Sequence, residues 1–196
     1  NTSVGFQAGN TMNTGASNTL LGTYAGNTIT TGSSNVAVGT SSALGAATTL
    51  NTIVGASAGA ATIGDNNTAV GANTLNSAAA AVTDIVAIGT NALTDALTVG
   101  ANGTVAVGTS ALTALTSGAS NTAMGRNAGA SITTGSSNTV IGHTSASAAT
   151  ASNNTIVGAT TGSTALGDNN TALGTNTLNS PAAAVTDIVA IGTNAL

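Results

Sequence analysis

Short apolar bursts, each closed by a glycine, recur along the whole chain: "NTLLG" at 18–22, "NTIVG" at 51–55 and again at 154–158, "NTALG" at 170–174. Taking that glycine as an anchor gives Gly5, Gly22, Gly39, Gly55, Gly71, Gly89, Gly108, Gly125, Gly142, Gly158, Gly174 and Gly192. The residue before the anchor is Val, Leu, Ile or Met all twelve times, and the residue three before it is always Thr or Val. Side chains alternate along an extended segment, so these two columns share a face, and their β-branched character predicts a strand. The column between them, Ser3, Leu20, Ala37, Ile53, Ala69, Ala87, Ala106, Ala123, Val140, Ile156, Ala172 and Ala190, falls on the opposite side, where a lone sheet meets water. Eleven of its twelve members are nevertheless apolar. A strand apolar on both faces is buried on both. The rest of the coil covers one face, and the middle column is expected to be covered by copies of the same chain.

The anchors are 17, 17, 16, 16, 18, 19, 17, 17, 16, 16 and 18 residues apart. No unit of that length can bury itself, so the units must stack as turns of a solenoid. The prediction is an all-β parallel β-roll of about twelve 16–19-residue coils, a rod about 55–60 Å long at the spacing of paired strands. Each coil is expected to hold a strand, a tight corner, a short second strand and a loop. The spacing itself repeats after 103 residues, and residues 64–93 match 167–196 at 27 of 30 positions. Residues 1–196 therefore read as one continuous array, two copies of a super-repeat (1–93 and 104–196) joined by 94–103. An array that starts and stops inside a duplicated block is expected to be a window on a longer fibre.

Asn stands four residues before the anchor in nine coils: Asn1, Asn18, Asn35, Asn51, Asn67, Asn121, Asn138, Asn154 and Asn170. Amides stacked at one rung per turn can hydrogen-bond along the fibre axis. Three residues after the anchor stands Ala, Ser or Thr, and the fourth is often Gly or Leu.

Composition sharpens this picture. Charged residues make up 3% of the chain, there is no Cys or Trp, and Phe6 and Tyr24 are the aromatics. That stock suits a thin core of Ala, Val, Ile and Leu. Disorder is excluded by a 41% hydrophobic content, since disordered chains are apolar-poor and charge-rich. A net charge of −4 with Arg126 as the one cation offers no footprint for nucleic acid. No apolar run reaches the ~18 residues a membrane span needs.

Candidate chemistry is sparse. His143 has no acid beside it in sequence and follows an anchor glycine, as Arg126 does one coil earlier, so the two are expected to stack on the exterior. Asp65 and Asp168, in "GDNN", are expected to cap turns before a strand rather than hold a metal, and Asp84 and Asp187 to do the same. No catalytic, cofactor or metal residues are assigned. The longest steps hold "NSAAAAVTD" (76–84), "NSPAAAVTD" (179–187) and "TDALTVGANG" (94–103), which serve either as recognition loops or as spacers.

"VAIGTNAL" (86–93 and 189–196), "VAVGTSAL" (105–112) and "VAVGTSSAL" (36–44) resemble the head repeat of YadA-type trimeric autotransporter adhesins, and "NTSVGFQAG" resembles phage tail-fibre-like proteins. The resemblance implies a left-handed parallel β-roll, a homotrimer and an extracellular fibre, cell-surface or virion-borne, that attaches to a host-cell, matrix or glycan receptor. Coils of 16–19 residues exceed that family's usual unit, which implies longer corner loops. Two other functions compete. One is an ice- or surface-binding Thr-rich solenoid, although Thr follows the anchor in only six coils. The other is an enzyme on a hexapeptide-type β-helix, which the 16–19 spacing and the missing His–acid set disfavour.

Overall fold

The structure is a computed structural model, and it describes residues 1–59, 62–146, 150–162, 166–179 and 185–195. Twelve three-residue strands fall where the anchors place them. They are β1 (Thr2–Val4), β2 (Thr19–Leu21), β3 (Val36–Val38), β4 (Thr52–Val54), β5 (Thr68–Val70), β6 (Val86–Ile88), β7 (Val105–Val107), β8 (Thr122–Met124), β9 (Thr139–Ile141), β10 (Thr155–Val157), β11 (Thr171–Leu173) and β12 (Val189–Ile191). They form one parallel sheet in sequence order, so each turn of chain climbs by one strand: a parallel β-solenoid. Register is strict, Ile53 lying opposite both Ala37 and Ala69. The sheet runs unbroken through the centre of the duplication, with Val86 opposite Val105. Of the expected loop 179–187, residues 180–184 lie outside the described residues, as does Leu196.

The two strand faces are the reverse of the sequence expectation. The middle column points into the chain's own interior: Leu20, Ala37, Ile53, Ala69, Ala87, Ala106, Ala123 and Ile156 are all fully buried. The columns one and three before the anchor point outward. The physical reason is the width of the turn. A 16–19-residue coil encloses a space one side chain deep, and a three-residue strand has one inward position.

In seven of the turns that narrow interior shows a balance of volumes, whereas Ala123 with Gly129 leaves the space to the nearby Leu112 and Ile132. Where the inward strand residue is large, the fourth residue after the anchor is glycine: Leu20 with Gly26, Ile53 with Gly59, Ile156 with Gly162. A Cβ on Gly26 would lie 2.7 Å from a Leu20 methyl, and one on Gly162 would lie 3.2 Å from Ile156. Where the strand residue is Ala69, Ala87, Ala106 or Ala172, the fourth position is Leu75, Leu93, Leu112 or Leu178, each buried. These leucines adopt left-handed φ of 54°, 50°, 48° and 50°. That conformation costs about 1–2 kcal/mol. Burying the side chain returns about 1.5–3 kcal/mol, so packing wins.

The expected second strand does not form as a strand in each coil. Bridges occur at Ser33–Thr49 and Leu166–Val185. The second residue after the anchor is left-handed throughout, from Gln7 (φ 53°) to Asn194 (φ 56°), which prevents an extended run. Turn-to-turn backbone bonds persist there regardless, as from Gly26 N–H to the Ser42 carbonyl at 2.9 Å.

Two side-chain ladders tie the turns in opposite directions. In the first, the Asn18 Oδ1 accepts the backbone and side-chain N–H of Asn35, both at 3.0 Å. Asn35 does the same for Asn51. The remaining amide hydrogen reaches a carbonyl of the next turn, Asn18 to Gly32 at 2.8 Å and Asn35 to Thr48 at 2.7 Å. All of these amides are buried. Runs from Asn1 and from Asn121 end at the N–H of Ile85 (3.0 Å) and Ile188 (3.1 Å). Between the runs Thr104 occupies the Asn position, and its buried Oγ1 has no hydrogen-bond partner.

In the second ladder, a side-chain oxygen six before the anchor accepts an N–H of the preceding turn. Asp65 takes Thr49 (2.7 Å), Asn102 takes Thr83 (3.0 Å), Ser136 takes Ala119 (3.2 Å) and Asp168 takes Ser152 (2.8 Å). The two "GDNN" carboxylates thus cap backbone one turn away rather than their own turn. Asp84 and Asp187 do something different, accepting from the side-chain amides of Asn66 (3.3 Å) and Asn169 (3.1 Å).

The anchor glycines are among the closest approaches between turns, as are Gly118 and Gly135. Gly39 has φ +130°, and a Cβ there would lie 2.4 Å from the Gly55 carbonyl oxygen.

Four substitutions test this frame in denaturant titrations. Gly39→Ala is expected to cost about 4 kcal/mol or more, the range of backbone clashes that cannot relax. Thr104→Asn gains an acceptor for the next turn and removes an orphaned hydroxyl, and is expected to stabilise by about 1–3 kcal/mol. Ile156→Ala is expected to cost about 2–5 kcal/mol. Gly162→Leu alone overpacks at about 1–3 kcal/mol. The double substitution recreates the Ala172/Leu178 arrangement, so its cost is expected to fall well below the sum of the two, a coupling that simple additivity would refute.

Candidate functional site

Two surfaces carry what the interior leaves over. The first is the outward face of the sheet. Val4 (56% exposed), Leu21 (47%), Met124 (48%), Ile141 (38%) and Leu173 (47%) stand in one file, with Val38, Val54, Val70 and Val107 half-buried between them. Beside them runs the file three before the anchor, Thr at eight turns and Val at Val36, Val86, Val105 and Val189. Flat register makes this a straight, two-column stripe. At ~3.3 Å per residue along the strand and ~4.8 Å between strands it measures on the order of 10 × 55 Å. An unbroken aliphatic file of that length is at the upper end of what monomers display. The sequence expectation of a doubly apolar strand is therefore met. The face left exposed is the Val/Thr face, not the Ala column that the sequence expectation turns outward.

The second surface is the corner ridge just past each anchor. The residue after the anchor is exposed in all twelve turns, and the next residue, in the left-handed conformation, projects beside it. Most of the ridge is Thr, Ala, Ser and Asn. Every chemically distinctive side chain outside the carboxylates lies here. Phe6 and Tyr24 meet edge to face, centroids 5.5 Å apart and planes at 87°. Arg126 Nη1 lies 3.3 Å from His143 Nε2, so the stacked exterior pair forms as expected. His143 is also 3.3 Å from the Thr144 hydroxyl through Nδ1.

Sequence reasoning found the ridge position and paired Arg126 with His143, but did not join Phe6 and Tyr24 to them. The signal it missed is that aromatics, cation and imidazole occupy the same pair of columns.

The long steps are less free than their length suggests. In 94–103, Leu97 and Ala101 are buried, a 3₁₀ turn covers Val99–Ala101, and Thr98 N–H bonds the Thr116 carbonyl at 2.7 Å. In 76–84, Val82 is buried and Ala79 N–H bonds the Leu97 carbonyl at 2.8 Å. Ala79–Ala81 line a shallow open depression of about 530 Å³ with Gly45–Thr48 and Thr62–Asp65. Among the described residues, no cluster of three His, Cys, Asp or Glu is placed to hold a metal ion. Nor, among the described residues, is any helix long and apolar enough to cross a membrane.

Set against protein-family models, curated proteins and solved structures, the chain matches none of them.

Proposed function

We propose that the protein is a structural and adhesive segment of an extracellular trimeric fibre, a YadA-like adhesin head or a phage tail-fibre shaft, that mediates attachment to a cell or surface. One observation carries this reading: the aliphatic stripe that the solenoid leaves on its own outer face. Water-exposed Val, Leu, Ile and Met in strict file on a rigid sheet gain stability by mutual burial. Each turn adds an equal increment, so an array longer than twelve turns gains in proportion. Three chains around a common axis cover all three stripes with one kind of heterologous contact, which a three-fold rotation closes. The head-repeat resemblance of "VAIGTNAL" and "VAVGTSAL" supports the same arrangement. The reading assigns no catalytic step to the chain.

A second reading draws on the same face. Thr at eight of twelve turns, pointing outward at one per strand beside aliphatic neighbours, is a regular flat array suited to an ice or crystal surface. The four Val interruptions and the hydrophobic companion file favour burial by other chains.

Sedimentation velocity separates the two. The fibre reading expects three chains of 18.1 kDa per particle. It also expects dissociation when aspartate is placed in the stripe by Val54→Asp with Val107→Asp, both outward and half-buried. A stable wild-type monomer overturns it, and thermal hysteresis from that monomer establishes the alternative.

A further inference from the structure

The duplicated block provides an internal comparison of what the frame needs and what it does not. Residues 15–43 and 118–146 build corresponding turns. They share "ITTGSSN", the buried Asn ladder positions and the anchors Gly22/Gly125 and Gly39/Gly142. Their strand differences exchange one aliphatic or β-branched residue for another, as in Leu21/Met124 and Val38/Ile141. Changes of chemical kind concentrate on the corner: Thr23 against Arg126, Tyr24 against Asn127, Thr40 against His143. The frame accepts threonine at both places, so the Arg–His pair is not there to hold it together.

The pair's geometry points to an anion. A guanidinium only donates, so in the 3.3 Å contact Arg126 donates and His143 Nε2 accepts. The imidazole proton then sits on Nδ1, beside the Thr144 hydroxyl. Both residues are exposed. Asp65, Asp84, Asp95, Asp168 and Asp187 all belong to other turns than those carrying β8 and β9. Among the described residues Arg126 therefore has no carboxylate side chain on its own turn or the next, and a planar guanidinium matches a carboxylate in bidentate fashion.

Its surroundings narrow the partner further. Along the ridge, Thr109, Asn127, Thr144, Thr160, Thr175 and Asn176 offer hydroxyls and amides at about one pair per 4.8 Å rung. This stretch has no large apolar side chain to serve as the desolvated anchor a protein partner needs. A net charge of −4 repels densely charged polyanions, nucleic acid among them.

We propose that the corner ridge around Arg126 and His143 binds a polysaccharide of low charge density that carries carboxylates. Arg126 holds the acidic sugar, and the flanking hydroxyls and amides bond its neutral neighbours. The proposal rests on the adhesive reading and names the class of receptor for it.

The test measures binding of hyaluronate, heparin and dextran oligosaccharides to the assembled protein by calorimetry at low ionic strength. Hyaluronate is expected to bind in preference to dextran and to heparin. Arg126→Thr is expected to weaken it about tenfold or more, the worth of a charge-assisted pair. His143→Thr is expected to weaken it less. Phe6→Thr, which installs the residue of the corresponding turn, is expected to leave it unchanged. Hyaluronate held no better than dextran, heparin held more tightly than hyaluronate, or undiminished binding by Arg126→Thr would each overturn the proposal. Sedimentation of the same samples keeps the two readings apart. A trimer that ignores hyaluronate overturns this inference alone, and a monomer that binds it overturns the fibre alone.

Discussion

Every turn of this chain must lie flat on the next at the spacing of a parallel sheet, and the backbone at the anchor glycines leaves no room for a side chain between turns. At Gly142 and Gly158 an added Cβ would lie 2.1 and 2.0 Å from the carbonyl oxygen of the anchor one turn on. No side chain fits such a gap. Once the anchors are fixed, each position of one turn lies against the same position of the next, and the consequences follow column by column. An amide lies over an amide and bonds to it. An inward aliphatic lies over an inward aliphatic, and its bulk must be balanced across a space one side chain deep. An outward aliphatic lies over another and becomes a stripe.

The Asn column shows how polar groups enter so thin an interior without destabilising it. A buried amide has two donors and a carbonyl to satisfy. Asn138 meets these demands with the turns on either side, through Asn121, Ala151 and Asn154. The solution is available only while neighbours repeat. Where Ile85 interrupts the column, Thr104 beyond it is left with an unsatisfied hydroxyl. In the same region the core gains bulk instead, with Ile85, Leu93, Leu97, Leu112 and Leu115 all fully buried. Aliphatic packing offsets the lost hydrogen bonds, and backbone pairing from β6 to β7 continues without a break.

Much of this is legible in the residues alone. Period, strand position, parallel stacking and the amide ladder follow from the anchors and their fixed offsets. The facing of the strand does not, because both faces are apolar and alternation cannot say which is inside. The deciding signal lies in a correlation between columns: Leu20 with Gly26 and Ile156 with Gly162, against Ala69 with Leu75 and Ala172 with Leu178. Residues whose sizes compensate share one space, and that space is the interior. The missing second strand has a different cause. Ser41, Ser57 and Thr160 sit at left-handed φ of 55°, 53° and 54°, a conformation their side chains do not advertise as Gly or Asn would. The partner of Asp65 is not legible either, because the Thr49 N–H is sixteen residues away in sequence and one rung away in space.

The corner ridge escapes these constraints, which explains its content. An inward residue is bounded above, below and across, and changes there stay within small and aliphatic residues, as Leu20 against Ala123 and Ala37 against Val140 show. A residue just past the anchor is bounded only by its neighbours along the ridge and otherwise faces water. It can become Phe6, Arg126 or His143 without disturbing any interior contact. In a chain of 196 residues with one cation, one histidine and two aromatics, all four stand on that ridge. Interior columns drawn at random would have placed some of them inside, where stacking forbids them. The fold thus separates its work by column: the columns that must match their neighbours carry stability, and the one that need not carries chemical variety.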